Sequence, residues 1–237
     1  MPTPVCPSYA GYRFPAEIIS HAVWLYFRFP LSLRNVDEIL AVRGVVVSHE
    51  TVRQWGLKFG QAFANQIRRR LPSAGDKWHL DEVVVIIAGK KQWLWRAVDQ
   101  NGAVLDILVQ NRRDKDASKR LLRKLPKKQC RAPRVMITDK LKSDNAAKRE
   151  IMPGVEHRQH KGLNNRAENS HQPTRRRERQ MKRFKSPGHA QRFLSAQDGI
   201  NNLFPIRRHR LPASQYRAAR TQAFQTWVEV TVVARNA

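Results

Sequence analysis

Between Trp78 and Gln110 three runs of β-branched and apolar residues follow one another with only short turns between them. Trp78–Ala88 is the first, Gln92–Val98 the second after a turn at Gly89–Lys91, and Val104–Gln110 the third after a turn at Asn101–Gly102. Strands joined this tightly form an antiparallel meander. A meander with apolar faces needs helices to cover them, and the following segments supply them. Asp116–Leu125 is amphipathic through Ala117, Leu121, Leu122 and Leu125. Arg134–Thr138 reads as a fourth strand, reached through that helix and so parallel to the first. Ser143–Glu150 is a short helix, Gly162–His171 is helical with an interruption at Pro173, and Ala190–Leu203 is a further helix. The fold class is α/β, a mixed sheet in the order βββαβα…α.

Ahead of the Leu71–Gly75 linker the apolar period is helical instead. Ile18, Ile19, Ala22, Val23, Leu25 and Tyr26 form one stripe, which Pro30 ends. A short helix over Ser32–Ala41 presents Leu33, Val36, Ile39 and Leu40. After a turn containing Gly44, Ser48 is placed to cap a longer helix with Val52, Trp55, Phe59, Phe63 and Ile67 on its apolar face. A plain helical hairpin has the same spacing, but in a basic chain it points to a helix-turn-helix that binds DNA. The chain divides into an irregular Pro-rich arm (1–15), this helical domain (16–70), the sheet domain (76–204) and an extension without a placement (205–237).

Charge narrows the function. Lys and Arg number 45 against 19 Asp and Glu, a formal net charge of +26. Such a field suits a polyanionic partner. The excess is concentrated in Arg112–Lys128 and Arg175–Lys185, which hardly mix signs and so read as surfaces for phosphates rather than as solvated helix faces. Cys6 and Cys130 form no CxxC pair, which excludes a disulfide scaffold and a cysteine zinc site. The longest apolar run, Val83–Ala88, is too short for a bilayer. No secretory leader is visible and no GxxxxGK[ST] loop offers a nucleotide site. The expectation is a cytoplasmic protein facing nucleic acid.

Chemistry on a DNA phosphodiester needs charge neutralised on an in-line transition state, for which two divalent ions roughly 3.5–4 Å apart serve, held by carboxylates. The candidate acids sit at strand ends in the apolar core. Asp81 and Glu82 alternate faces on the first strand, so at most one serves a given site. Asp139 ends the fourth strand, Asp99 ends the second, and Glu168 lies on the helix before the second basic block. A single Asp at a strand end is more often a turn former or a cap. Trp78, Trp93 and Trp95 read as core, and His157, His160 and His171 as surface or phosphate contacts.

HLDEV around Asp81, WLWRAVDQNG at Trp93–Gly102, ITDK around Asp139 and GLNNRAENSHQPTRRRERQMKRFKS at Gly162–Ser186 resemble the DDE transposases of bacterial insertion sequences, in particular the short, single-gene elements that flank composite transposons and fuse replicons. The resemblance runs from about Tyr12 to Trp227. It implies a ribonuclease-H-like catalytic domain of the retroviral-integrase superfamily behind a helix-turn-helix. It also implies that Asp81, Asp139 and Glu168 form the catalytic, metal-binding triad, with Glu178 the competing third acid. Mg2+ is the implied cofactor, with Mn2+ as a substitute. The implied reaction is water attack at the element end, which frees a 3′-hydroxyl that then attacks target DNA. Double-stranded DNA is the implied partner, as element ends with inverted repeats and as target, with the protein a homodimer associated with the nucleoid and using no nucleotide cofactor. Thr51, Arg53, Gln54 and Lys58 are the candidates for reading the repeats. Lys140, Arg175, Arg176, Arg177, Arg179, Lys182 and Arg183 are the candidates for gripping the cut strand. The alternatives are a non-catalytic DNA-binding regulator, a nuclease that cuts without joining, and a decayed, inactive copy of such a transposase.

Overall fold

The computed structural model describes residues 8–139, 142–204 and 211–232, in two compact units, residues 1–71 with 195–237 and residues 72–194.

The first unit is helical. α1 (Ala16–Arg28), α2 (Leu33–Ala41) and α3 (His49–Arg70) follow the three predicted apolar stripes. Ser32 caps α2 in a box with Asn35, and the Ser48 hydroxyl accepts from the Thr51 amide at 3.2 Å to start α3. Gly44, at φ 77°, makes the turn between them. Val36, Leu40, Val52, Trp55, Phe59, Phe63 and Ile67 are all buried. Residues 8–15 form no helix or strand and pack on α3: Tyr9 stacks on Phe59 at 4.8 Å and Phe14 meets Trp55 edge-on at 5.5 Å. The unplaced extension contains α9 (Ala213–Thr231), whose Trp227 meets Phe63 at 5.5 Å and whose Thr231 carbonyl accepts from the Tyr9 hydroxyl. The end of α8 (Pro187–Asn201) completes this unit through Ile200 and Gly199. A Cβ on Gly199 would stand 2.6 Å from the Cβ of Ala64, which has no rotamer by which to withdraw. Gly199→Ala is therefore expected to lose about 1–2 kcal/mol, overpacking outweighing the gain in helix propensity, read as a lower midpoint in denaturant.

The second unit is built on a five-stranded sheet, ordered β3-β2-β1-β4-β5. β1 (Lys77–Ile87), β2 (Lys90–Asp99) and β3 (Val104–Gln110) are the antiparallel meander. β4 (Val135–Thr138) and β5 (Glu156–Gln159) run parallel to β1. α4 (Lys115–Gln129) and α5 (Lys142–Ile151) provide the crossovers. Trp78, Leu80, Trp95, Ala97, Leu121, Leu122, Leu125 and Met136 form the core between them and one sheet face. α6 (Asn165–Ser170), α7 (Gln172–Gln180) and residues 187–194 of α8 follow the sheet, with His171 at the break that Pro173 imposes. Gln191 of α8 seals the exposed edge of β3, accepting from the Val109 amide at 2.8 Å and donating to the Ile107 carbonyl at 3.2 Å. This is the expected α/β fold, a mixed sheet with helices preceding and following it. β5 escapes sequence reading because its four residues, Glu156-His157-Arg158-Gln159, are polar and leave no apolar alternation.

Candidate active site

Parallel pairing of β1 with β4 sets Lys77 beside Val135, Trp78 beside Met136 and His79 beside Ile137. Every pair is offset by 58, the separation of Asp81 and Asp139 in the chain. Carried two residues past the last ladder pair, the same offset brings Asp139, the residue that follows β4, alongside Asp81 of β1, near enough for its charge to act on Asp81, at the carboxyl end of β4 where sites in such sheets gather. Strand alternation gives both the same face. Burial pushes the Asp81 carboxyl up to about 6, and the charge of Asp139 pushes in the same direction. The charge of Arg113 pulls Asp81 the other way, but the net shift is upward, and the two carboxylates offer oxygen donors, the chemistry of a site for a hard divalent cation.

Glu82, on the opposite face, is a different kind of acid. Its side chain is 1% exposed and accepts from Nε of Arg113 at 2.7 Å. The guanidinium of Arg113 lies 4.9 Å over Trp93, a half-buried residue packed on the core. Burial raises Glu82 to about 7 even against the pull of Arg113. Asp99 takes the ordinary role of a strand-end Asp: it accepts from the amides of Asn101, Ala103 and Gly75 and makes the turn.

Glu168 is exposed on α6. Its charge acts on His171, whose Nε2 lies 3.3 Å from Oδ2 of Asp81. That distance suits an ion pair, but burial, with the charges of Arg96 and Arg175 adding to it, pushes the imidazole down to about 2. The contact is therefore one with a neutral ring. His171 is 3% exposed, which corrects the expectation of a surface histidine: the kink at Pro173 turns it inward. Among the described residues no three His, Cys, Asp or Glu side chains converge closely enough to hold a metal ion. The structure brings Asp81 and Asp139 together and leaves the Glu168 carboxylate one His171 away. The competing acid, Glu178, is 3.3 Å from Arg175 on α7.

The basic candidates divide. Arg175, Arg176, Arg179, Lys182 and Arg183 are exposed, and Lys182 and Arg183 occupy consecutive left-handed positions that turn the chain out of α7. Arg177 is 1% exposed with its guanidinium 5.0 Å over Phe193, so the sequence expectation of a phosphate contact is corrected: its place in the α7 period points it at α8. Lys140 lies outside the described residues. On α3, Arg53, Gln54 and Lys58 are exposed and Thr51 is half-buried. Arg53 is held bidentately by Glu50, with Nε to Oε2 at 2.7 Å. Sequence reading missed Arg96, which is wholly buried and donates to Thr174 Oγ1 at 2.6 Å. Its signal was a lone charge inside the apolar run WLWRAV.

The family model of the DDE domain matches residues 75–207, the stretch that carries all three acids. The chain is 33% identical over 164 residues to the transposase for insertion sequence-like element IS431mec of Staphylococcus aureus, an alignment covering 67% of this chain and 73% of that one. It is equally similar to the Staphylococcus aureus transposase for insertion sequence element IS257 in transposon Tn4003. Among solved structures, the integrase catalytic core domain of HTLV-2 in complex with magnesium superposes with a TM-score of 0.40 at 15% identity, over 59% of this chain and 93% of that one. A chain of the simian T-cell lymphotropic virus intasome does so at 0.36, over 70% of this chain and 53% of that one. With the paired carboxylates where the DDE model aligns, this chain belongs to the DDE transposases of bacterial insertion sequences.

Proposed function

We propose that Asp81, Asp139 and Glu168 are the catalytic acids with which this chain cuts the ends of its element and joins them to target DNA. As a member of its family the chain is a DNA-cleaving, strand-transferring enzyme that depends on divalent metal. The observation that carries the assignment is the pair Asp81–Asp139, two acids that the β1–β4 offset brings to one face and whose charges raise the Asp81 carboxyl. Glu168 completes the set from α6 by rotation of its side chain. When bound, Mg2+ would neutralise the phosphate and activate the attacking water or 3′-hydroxyl. Arg175, whose charge reaches His171, binds the scissile phosphate together with Arg176, Arg179, Lys182 and Arg183. On α3, Arg53, Gln54 and Lys58 read the terminal repeats from the exposed face, Arg53 exchanging Glu50 for DNA, and Lys140 adds phosphate contact beside Asp139. Strand exchange at two ends calls for two copies of the chain. Mn2+ serves in place of Mg2+. Among the described residues no helix is long and apolar enough to cross a membrane, in keeping with action on DNA in the cytoplasm, at the nucleoid.

The test is cleavage and joining on DNA carrying the repeats that flank the gene, with Mg2+. Glu168→Gln is expected to lower both steps about 10³-fold or more, as for an acid that acts only in the transition state, while Glu178→Gln changes them less than about tenfold. The reverse ranking overturns the assignment of the third acid. Binding without cleavage under either metal supports a regulator or a decayed copy instead, and cleavage without joined product supports a simple nuclease.

A further inference from the structure

Arg96 is directly opposite Asp81 in the β1–β2 ladder and is wholly buried. Taking a guanidinium out of water costs several kcal/mol, and an apolar residue at this position would be cheaper for stability alone. Its donors show what the position gains. One goes to the carbonyl of Ser170, the last residue of α6, and another to the hydroxyl of Thr174 in the first turn of α7 at 2.6 Å. Thr174 is itself 2% exposed. At the other end of α6, Asn164 is also wholly buried and donates its carboxamide to the Leu80 carbonyl at 2.7 Å. Leu80 immediately precedes Asp81, and the Glu168 amide donates to the Asn164 carbonyl at 3.2 Å.

These bonds close a ring. It runs from β1 at Leu80 through Asn164 into the first turn of α6, along α6 past Glu168 to Ser170, and through Arg96 back to β2 opposite Asp81. α6 has only six residues, too few to hold itself as an isolated helix, so its place on the sheet depends on tertiary contacts: the wholly buried Ala167 in its middle and an anchor at each end. We infer that Asn164 and Arg96 are positioning residues for the transposition reaction: they clamp both ends of α6 and so set the distance between Glu168 and Asp81, leaving only the Glu168 side chain to move. The inference rests on the reading of Glu168 as the third acid. Neither anchor touches the reacting atoms; each acts through the helix it holds. A guanidinium suits the α6–α7 junction because its planar fork reaches two acceptors in fixed directions, which an ammonium does not reproduce.

The experiment uses the full chain and Mn2+ as probe, with free Mn2+ followed by its paramagnetic resonance, and thermal melting in chelator as the control for folding. Arg96→Lys is expected to weaken Mn2+ binding about tenfold or more, the scale seen when a partner that orients a metal ligand is lost. Thr174→Val, which keeps the side-chain volume and removes the hydroxyl, is expected to weaken it about threefold to tenfold, with Thr174→Ser at the wild-type value. In a Glu168→Gln background, Thr174→Val should add nothing, because the clamp acts through Glu168. If Glu168→Gln weakens Mn2+ binding while Arg96→Lys and both Thr174 variants bind as wild type, the clamp is overturned and the triad stands. If Glu168→Gln itself leaves Mn2+ binding and strand transfer unchanged, the triad is overturned first. If Arg96→Lys fails to fold, the contrast between Thr174→Val and Thr174→Ser decides: equal Mn2+ affinity in the two overturns the clamp.

Discussion

Asp81→Asn is expected to abolish cleavage and strand transfer, by about 10³-fold or more, and in the absence of metal to make the protein more stable. Both follow from one arrangement. Asp81 stands beside Asp139 with its side chain 11% exposed, and burial together with that second charge raises it from 3.8 to about 6. The folded state therefore holds the proton more tightly than the unfolded chain. Below 3.8 the group is protonated in both states and costs nothing. As pH rises from about 4 to about 6 the folded state must give up a proton it prefers to keep, and stability falls; above about 6 the cost is complete. Allowing for the exposed part of the side chain, that cost is roughly 1–2 kcal/mol, which is about a few degrees in melting temperature. Melting in chelator at pH 8 should show the variant a few degrees above wild type, with the gap narrowing as pH is lowered through about 6 toward 4. Added Mg2+ should stabilise wild type and leave the variant unmoved. A variant less stable than wild type at every pH would mean that the two carboxylates do not oppose one another.

The second large effect concerns the acid on the other face. Glu82 has 1% of its side chain exposed, whereas Arg113 has 37%. Arg113→Ala strands a buried carboxylate, a change that costs about 3–5 kcal/mol when both partners are interior and about 2–3 here, because Glu82 escapes part of the loss by taking up a proton. Glu82 sits at about 7 with Arg113 in place, above its ordinary 4.5, and removing the cation moves it further up. The deficit of the variant should therefore grow from pH 5 to pH 8, since the folded protein must ionise a group that the unfolded chain ionises near 4.5. Urea denaturation at both pH values measures it. Arg113→Ala with Glu82→Gln should recover most of the stability at pH 8. A single variant as stable as wild type would show that the pair contributes nothing.

Much of this molecule is written in local pattern. Ser32 and Ser48 announce their helices and do cap them. The alternation of Trp78, Leu80 and Trp95, Ala97 marks one buried face, which α4 covers with the predicted Leu121, Leu122 and Leu125. Pro173 breaks the helix where its missing amide requires. Other features have no local signature. The 58-residue spacing of Asp81 and Asp139 is only a number until β1 and β4 pair in parallel at that offset. Arg177 is one more cation in a basic run until α7 turns it onto Phe193. His171 and Arg96 look like a surface group and an interruption, and both are interior.

The amino-acid order alone determined the succession of elements apart from β5 and α9, the serine caps, the basic character and the family, because periodicity, turn chemistry and motif are properties of neighbours along the chain. Tertiary structure decided which acids stand together, which cations reach solvent and what anchors α6. Those outcomes depend on strand register and helix docking between segments dozens of residues apart, where a shift of one residue reverses the face of every side chain.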